Sequence, residues 1–93
     1  MNFNPLAKKN HISELTTAGD YCFVEAGNYT DNPRPRATIL CCPVCGILMS
    51  CPHVILNDNP LSLSPSVVGP QNSNQHINCG HHFFVEDGKV RLV

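Results

Sequence analysis

Two short stretches, Cys42-Pro-Val-Cys45-Gly46 and Cys79-Gly-His-His82, constrain this chain more than anything else in it. A Cys-x-x-Cys turn brings two thiolates to one ion while the backbone amides after the first Cys point at its sulfur. A glycine directly after the second Cys lets the chain fold back closely. Cys79 and His82 repeat the same spacing further on. Three sulfurs and one imidazole of this softness suit a tetrahedral zinc ion. Each pair is followed by a strand-like run, as in a zinc ribbon. The expected metal ligands are Cys42, Cys45, Cys79 and His82.

The rest of the chain explains why such a staple is needed. Its 93 residues make one domain, with no Trp, four Phe and two Tyr to fill a core, and eight Pro and six Gly to interrupt regular structure. A chain of this size buries only roughly two-thirds of the surface it exposes when unfolded. Structural zinc contributes roughly 10–16 kcal/mol to the folding of small finger peptides. That is comparable with the whole stability of an ordinary domain, about 5–15 kcal/mol. The spacing leaves alternatives at the fourth position: His81 can replace His82, and His76 also lies close to Cys79. Cys41 can stand in for Cys42, although the spacing and Gly46 favour Cys42. Cys41 and Cys22 otherwise read as packed strand thiols, and His11 as a solvent-exposed residue of the leading segment.

Charge excludes some partners. The formal net charge is −1, and Lys8-Lys9 and the Arg34/Arg36 pair stand alone. Nucleic-acid backbone calls for a basic stripe, which is absent, so nucleic acid is a remote alternative as partner. The first ten residues lack the apolar run of a secretory signal. The most apolar stretch, 37–56, is broken by Pro43, Gly46, Pro52 and His53, which excludes a membrane helix there. The expected setting is cytoplasmic, where thiols stay reduced and six Cys point to metal rather than disulfides.

The fold class expected is a small all-β or β-rich single domain, a zinc-ribbon-like sheet stapled by metal and closed by a C-terminal hairpin. Residues 1–19 read as a polar segment in which Leu6, Ile12 and Leu15 suit one amphipathic turn capped by Ser13; 20–93 form the metal-binding domain. Strands are expected at 20–26, 37–42 and 47–56, the last broken or at an edge because of Pro52. Loops are expected at 27–36 and 57–74, with the Leu and Val residues of the second tucked under the sheet. At the C-terminus, Asp87-Gly88 suits a two-residue type I′ turn. Counting outward pairs Glu86 with Lys89, Val85 with Val90, Phe84 with Arg91 and Phe83 with Leu92. Phe83, Val85, Val90 and Leu92 then share an apolar face, with an ion pair and a stacked Arg–Phe pair opposite.

At these residues the chain resembles an uncharacterised family of small bacterial and phage-encoded proteins. The matching stretches are Cys42-Pro-Val-Cys-Gly46, Leu63-Ser-Pro-Ser-Val67, and Cys79-Gly-His-His-Phe83 running through Asp87-Gly-Lys-Val90, together about half of the chain. The resemblance implies a metal site with His82 as its histidine ligand and a phage or mobile-element setting, including a phage particle. It implies no reaction. A second resemblance is to Rieske iron–sulfur domains, whose Cys-x-His and Cys-x-x-His pairs are matched by Cys51-Pro-His53 and Cys79-Gly-His-His82. It implies a 2Fe–2S cluster and electron transfer. The chain departs from that pattern with Val54 and Phe83 after the two histidines, where such domains carry glycine. It also leaves the Cys42/Cys45 turn without a role.

Four protein ligands close a zinc shell to water, so catalysis is not expected there. Cys51-Pro-His53 also offers a thiol near an imidazole, a thin basis for a nucleophile and base. The function expected is a non-enzymatic zinc-binding module that binds a protein partner or self-assembles, with the 28–36 and 57–74 loops as contact surfaces.

Overall fold

The computed structural model describes residues 6–26, 36–64, 66–69, 71–72 and 77–93. The expected loop at 27–36 lies outside these except for Arg36, as does His76. The described residues are almost entirely β, with one short 3-10 turn and no α-helix.

The first sheet has the order β1-β2-β3-β4. β1 is Ala7–Lys8, β2 Asp20–Glu25, β3 Arg36–Cys41 and β4 Leu48–Cys51. β2, β3 and β4 run antiparallel, with Tyr21 opposite Leu40 and Leu40 opposite Met49. That row of apolar residues is buried. β1, which the polar sequence did not suggest, adds in parallel to β2. It is brought there by a turn that Asp20 organises. Its carboxylate accepts from the amides of Thr16 and Thr17 at 3.1 and 3.0 Å, and Gly19 donates to the Cys41 carbonyl at 2.9 Å. The single turn Ile12–Glu14 forms where expected, but His11 rather than Ser13 caps it, accepting from the Ser13 amide.

Pro52 breaks the third expected strand in two: β4 ends at Cys51 and β5, Val54–Asp58, starts a new sheet with β6, Leu61–Ser64. The expected 57–74 loop is therefore mostly strand, continuing into β7, Val67–Val68, and β8, Gln71–Asn72. What the sequence hid is a tight turn at Asn59-Pro60, a cis peptide, where the Asn57 side-chain amide donates to the Pro60 carbonyl at 2.7 Å. Leu61, Leu63 and Val67 are buried as expected, while Val68 faces solvent. Tyr21 Oη donates to the Asp58 carbonyl at 2.7 Å, tying this hairpin to the first sheet. Arg36 closes the same junction, stacking over Phe23 and pairing with Asp58 at 2.5 Å.

β9, Ile77–Asn78, pairs with β8 and leads to the C-terminal sheet of order β11-β10-β7, with β10 at His82–Glu86 and β11 at Lys89–Leu92. The β10–β11 register is the one the turn dictates, Glu86↔Lys89 through Phe83↔Leu92. Asp87 and Gly88 both adopt positive φ, 50° and 72°, as a type I′ turn needs. Phe83 and Val85 are wholly buried, but Leu92 is 42% exposed at the sheet edge. The expected ion pair is displaced by one partner: Glu86 reaches Arg91 at 3.0 Å rather than Lys89, and Arg91 lies 4.4 Å from the Phe84 ring centroid. The turn itself is anchored to β6, since Gly88 donates to the Leu61 carbonyl and Asp87 to Ser62 Oγ, both at 2.7 Å.

Candidate metal centre

The turn between β3 and β4 carries the first ligand pair. Cys42 is fully buried, its amide bonded to the Ile47 carbonyl at 2.8 Å and its carbonyl to the Gly46 amide at 2.8 Å. Gly46 sits at φ 80°, a region that favours glycine, and this tight reversal returns the chain into β4 with Cys45 at its outer corner. The second pair lies between β9 and β10. Gly80, at φ 57°, bends the chain so that Cys79 and His81 face the same point.

The four side chains converge. Cys45 Sγ is 3.3 Å from Cys79 Sγ, and Cys79 Sγ is 3.6 Å from Cys42 Sγ. His81 Nδ1 lies 3.3 Å from Cys79 Sγ and 3.9 Å from Cys42 Sγ. All four ligand atoms fall within 4.8 Å of one another. A tetrahedral zinc with Zn–S near 2.3 Å sets its sulfurs about 3.8 Å apart and each sulfur about 3.6 Å from a ligating nitrogen. The sulfur–nitrogen distances bracket the second value, and the two sulfur–sulfur distances fall short of the first by about 0.5 Å or less. The sulfurs are far from the 2.03–2.05 Å of a disulfide, and all six cysteines are free thiols. These residues can hold a metal ion.

Cys45 and Cys79 are shifted in opposite directions. Burial opposes ionisation of Cys45, but the Ile47 amide and the neighbouring sulfurs outweigh it and hold this thiol below its usual value. Burial, helped by the sulfurs of Cys45 and Cys42 and opposed by the His81 amide, pushes Cys79 up to about 12. A cation among three crowded sulfurs removes the penalty on Cys79, because metal binding displaces the thiol protons.

His82, favoured as the fourth ligand, is not part of the group; His81 stands there instead. His82 opens β10 opposite Val68 and lies on the exposed face, where its Nε2 is 2.6 Å from Ser66 Oγ. The signal was present in the hairpin register. If Phe83 and Val85 face the core, strand alternation sends His82 outward with Phe84. Cys51 and His53 also stay outside the group, which takes only Cys79 from the Rieske-like set. Cys51 is a core residue opposite Thr38, its thiol pushed up to about 12 by burial and then by Cys42. Cys22 and Cys41 are buried strand thiols, both raised chiefly by burial.

One contributor carried no signal in the sequence. Gly69, just past β7, is buried against the site and donates its amide to the His81 carbonyl at 2.8 Å. A Cβ at this position would collide with Cys79 Sγ and approach Cys79 Cβ to 3.1 Å. The absence of a side chain at Gly69 is what lets the chain just past β7 pack against Cys79.

No protein family, curated protein or solved structure matches this chain. No helix among the described residues is long and apolar enough to cross a membrane.

Proposed function

We propose that this chain is a small non-enzymatic zinc-binding module, encoded by a phage or mobile element, that acts as a structural or protein-binding component. The observation that carries the reading is the convergence of Cys42, Cys45, Cys79 and His81, from two turns far apart in sequence, on one point. Three thiolates and one imidazole favour zinc over harder ions. A shell filled by four protein ligands leaves no position for a reacting water, which supports a structural role over a catalytic one. The zinc would tie the β3–β4 turn to the β9–β10 turn, and so the first sheet to the last.

The phage setting is supported by the resemblance of the two ligand turns and the Ser64-Pro65-Ser66 segment to small phage-encoded proteins. A protein partner is supported by near-neutral charge and by exposed Leu56 and Val68, 65% and 59% accessible, on the strands flanking β6 in sequence. Elemental analysis with a visible spectrum, on protein purified without added metal, tests the reading. About one zinc per chain with no visible absorption is expected, and Cys42→Ser should abolish it. Two irons with a charge-transfer band would replace the zinc module by an electron carrier, and no metal would remove both.

A further inference from the structure

The four ligands of the metal centre differ sharply in access. Cys42 is fully buried, Cys79 is 8% exposed and His81 is half-buried, whereas Cys45 is open to solvent. The three cysteines outside the site, Cys22, Cys41 and Cys51, are 1%, 4% and 1% exposed. Among the described residues, which include every cysteine, Cys45 is therefore the sulfur that a solute can reach. Its nearest sulfur neighbour is Cys79, at 3.3 Å.

We propose that Cys45 is a site of oxidative modification by hydroperoxides, where a Cys45–Cys79 disulfide forms and the metal ion leaves. This rests on the zinc reading above and adds to it a condition under which the staple opens. In the first step the Cys45 thiolate attacks one peroxide oxygen. An S–O bond forms, the O–O bond breaks, and the departing hydroxide takes a proton to become water. In the second step the Cys79 thiolate attacks the Cys45 sulfur. An S–S bond forms, the S–O bond breaks, and a second hydroxide leaves as water. Two thiolates lose two electrons in all, and one hydrogen peroxide becomes two waters. The ion is left with Cys42 and His81, half of its donors, and dissociates. Cys42 is 3.6 Å from Cys79, but its burial keeps it from the first step. Dithiol reductants reverse the change by thiol–disulfide exchange.

The test uses the purified, metal-loaded full chain. Its metal content is measured first, and hydrogen peroxide is then titrated in with a chromophoric zinc indicator, a thiol count and disulfide mapping by mass spectrometry. The expected result is one zinc released for every two thiols lost, a bridge mapped to Cys45–Cys79, and recovery on adding dithiothreitol with zinc. Zinc retained at peroxide doses that oxidise free glutathione over the same time overturns the proposal and leaves the zinc module standing. Zinc released with a bridge between other cysteines overturns the choice of Cys45 and Cys79. A chain with no metal at the first measurement overturns both the module and its switch.

Discussion

The turn at Asp87–Gly88 and the turns at Cys42–Gly46 and Cys79–His81 both redirect the chain between strands, yet they do so by different physics. The first is local. Two residues that tolerate positive φ, flanked by alternating apolar residues, dictate the register within the hairpin, and the bonds from Asp87 and Gly88 to β6 then anchor it. The ligand turns are shaped locally by Gly46 and Gly80, but they crowd three sulfurs into a partly buried space. Burial, and then the neighbouring sulfurs, disfavour the ionised form of Cys79, a penalty that a cation there would offset. One end of the molecule is specified by backbone preference and apolar burial, whereas the other gathers four side chains that can hold a metal ion, a component that would have to be acquired.

The largest expected effect lies at the acquired end. His81→Ala should remove the fourth ligand and most of the metal affinity, whereas His82→Ala should bind metal within a few-fold of the parent. Competition with a chromophoric chelator reads both, and equal losses would return His82 to the site. Next, Phe83→Ala should destabilise the metal-loaded protein by about 3–5 kcal/mol in denaturant unfolding, through the cavity it leaves, without changing metal stoichiometry. Loss of metal from this variant would show that the two ends are not separable. Gly69→Ala, which sets a methyl group against Cys79, should weaken metal binding by about 10–100-fold, the usual range for outer-shell changes. A cobalt-substituted protein whose visible spectrum is unchanged by this substitution would show that β7 yields without disturbing the ligands.

The smallest effect is expected at Tyr21. Burial, and then the Asp58 charge, raise its phenol above the ordinary value near 10. Above that value the unfolded chain gives up the phenol proton while the folded chain still holds it. The stability contributed is thus fully present below about pH 10 and is lost as pH rises through the raised value. Tyr21→Phe should cost about 1 kcal/mol at neutral pH by removing the bond to Asp58. It should also flatten the alkaline limb of a stability–pH curve, and an unchanged limb would assign that slope to the buried thiols instead.

Much of the fold was legible because it was local. β2, β3 and the C-terminal hairpin follow from alternation and turn chemistry, and all four expected hairpin pairs are found. The segment after Leu56 was not legible, because its strands are short and its Ser, Pro and Asn residues read as loop. Burial of Leu61, Leu63 and Val67 against Phe83 and Tyr21, a tertiary effect, overrides that composition. The same division holds at the metal centre. The Cys42/Cys45 pair follows from spacing alone, whereas choosing between adjacent histidines requires knowing where β10 begins. Gly69 reaches the site only through the pairing of β7 with β10. No pattern in the linear sequence foretells that neighbour.

The distance along the chain between the two ligand turns bears on the order of assembly. Closing a loop costs entropy that grows only slowly with its length, but the chain between Cys45 and Cys79 must also lay down β4 through β9. Cys42 and Cys45, three positions apart, can capture an ion while that chain is still unfolded. An ion held by two sulfurs would remain exchangeable, and it would be locked in only when β10 docks and delivers Cys79 and His81. Metal exchange in this protein should therefore be fast early in refolding and slow at the end. In stopped-flow refolding, a chelator added before β10 docks should strip the ion quickly, and the same chelator added afterwards should act only as fast as the last sheet opens.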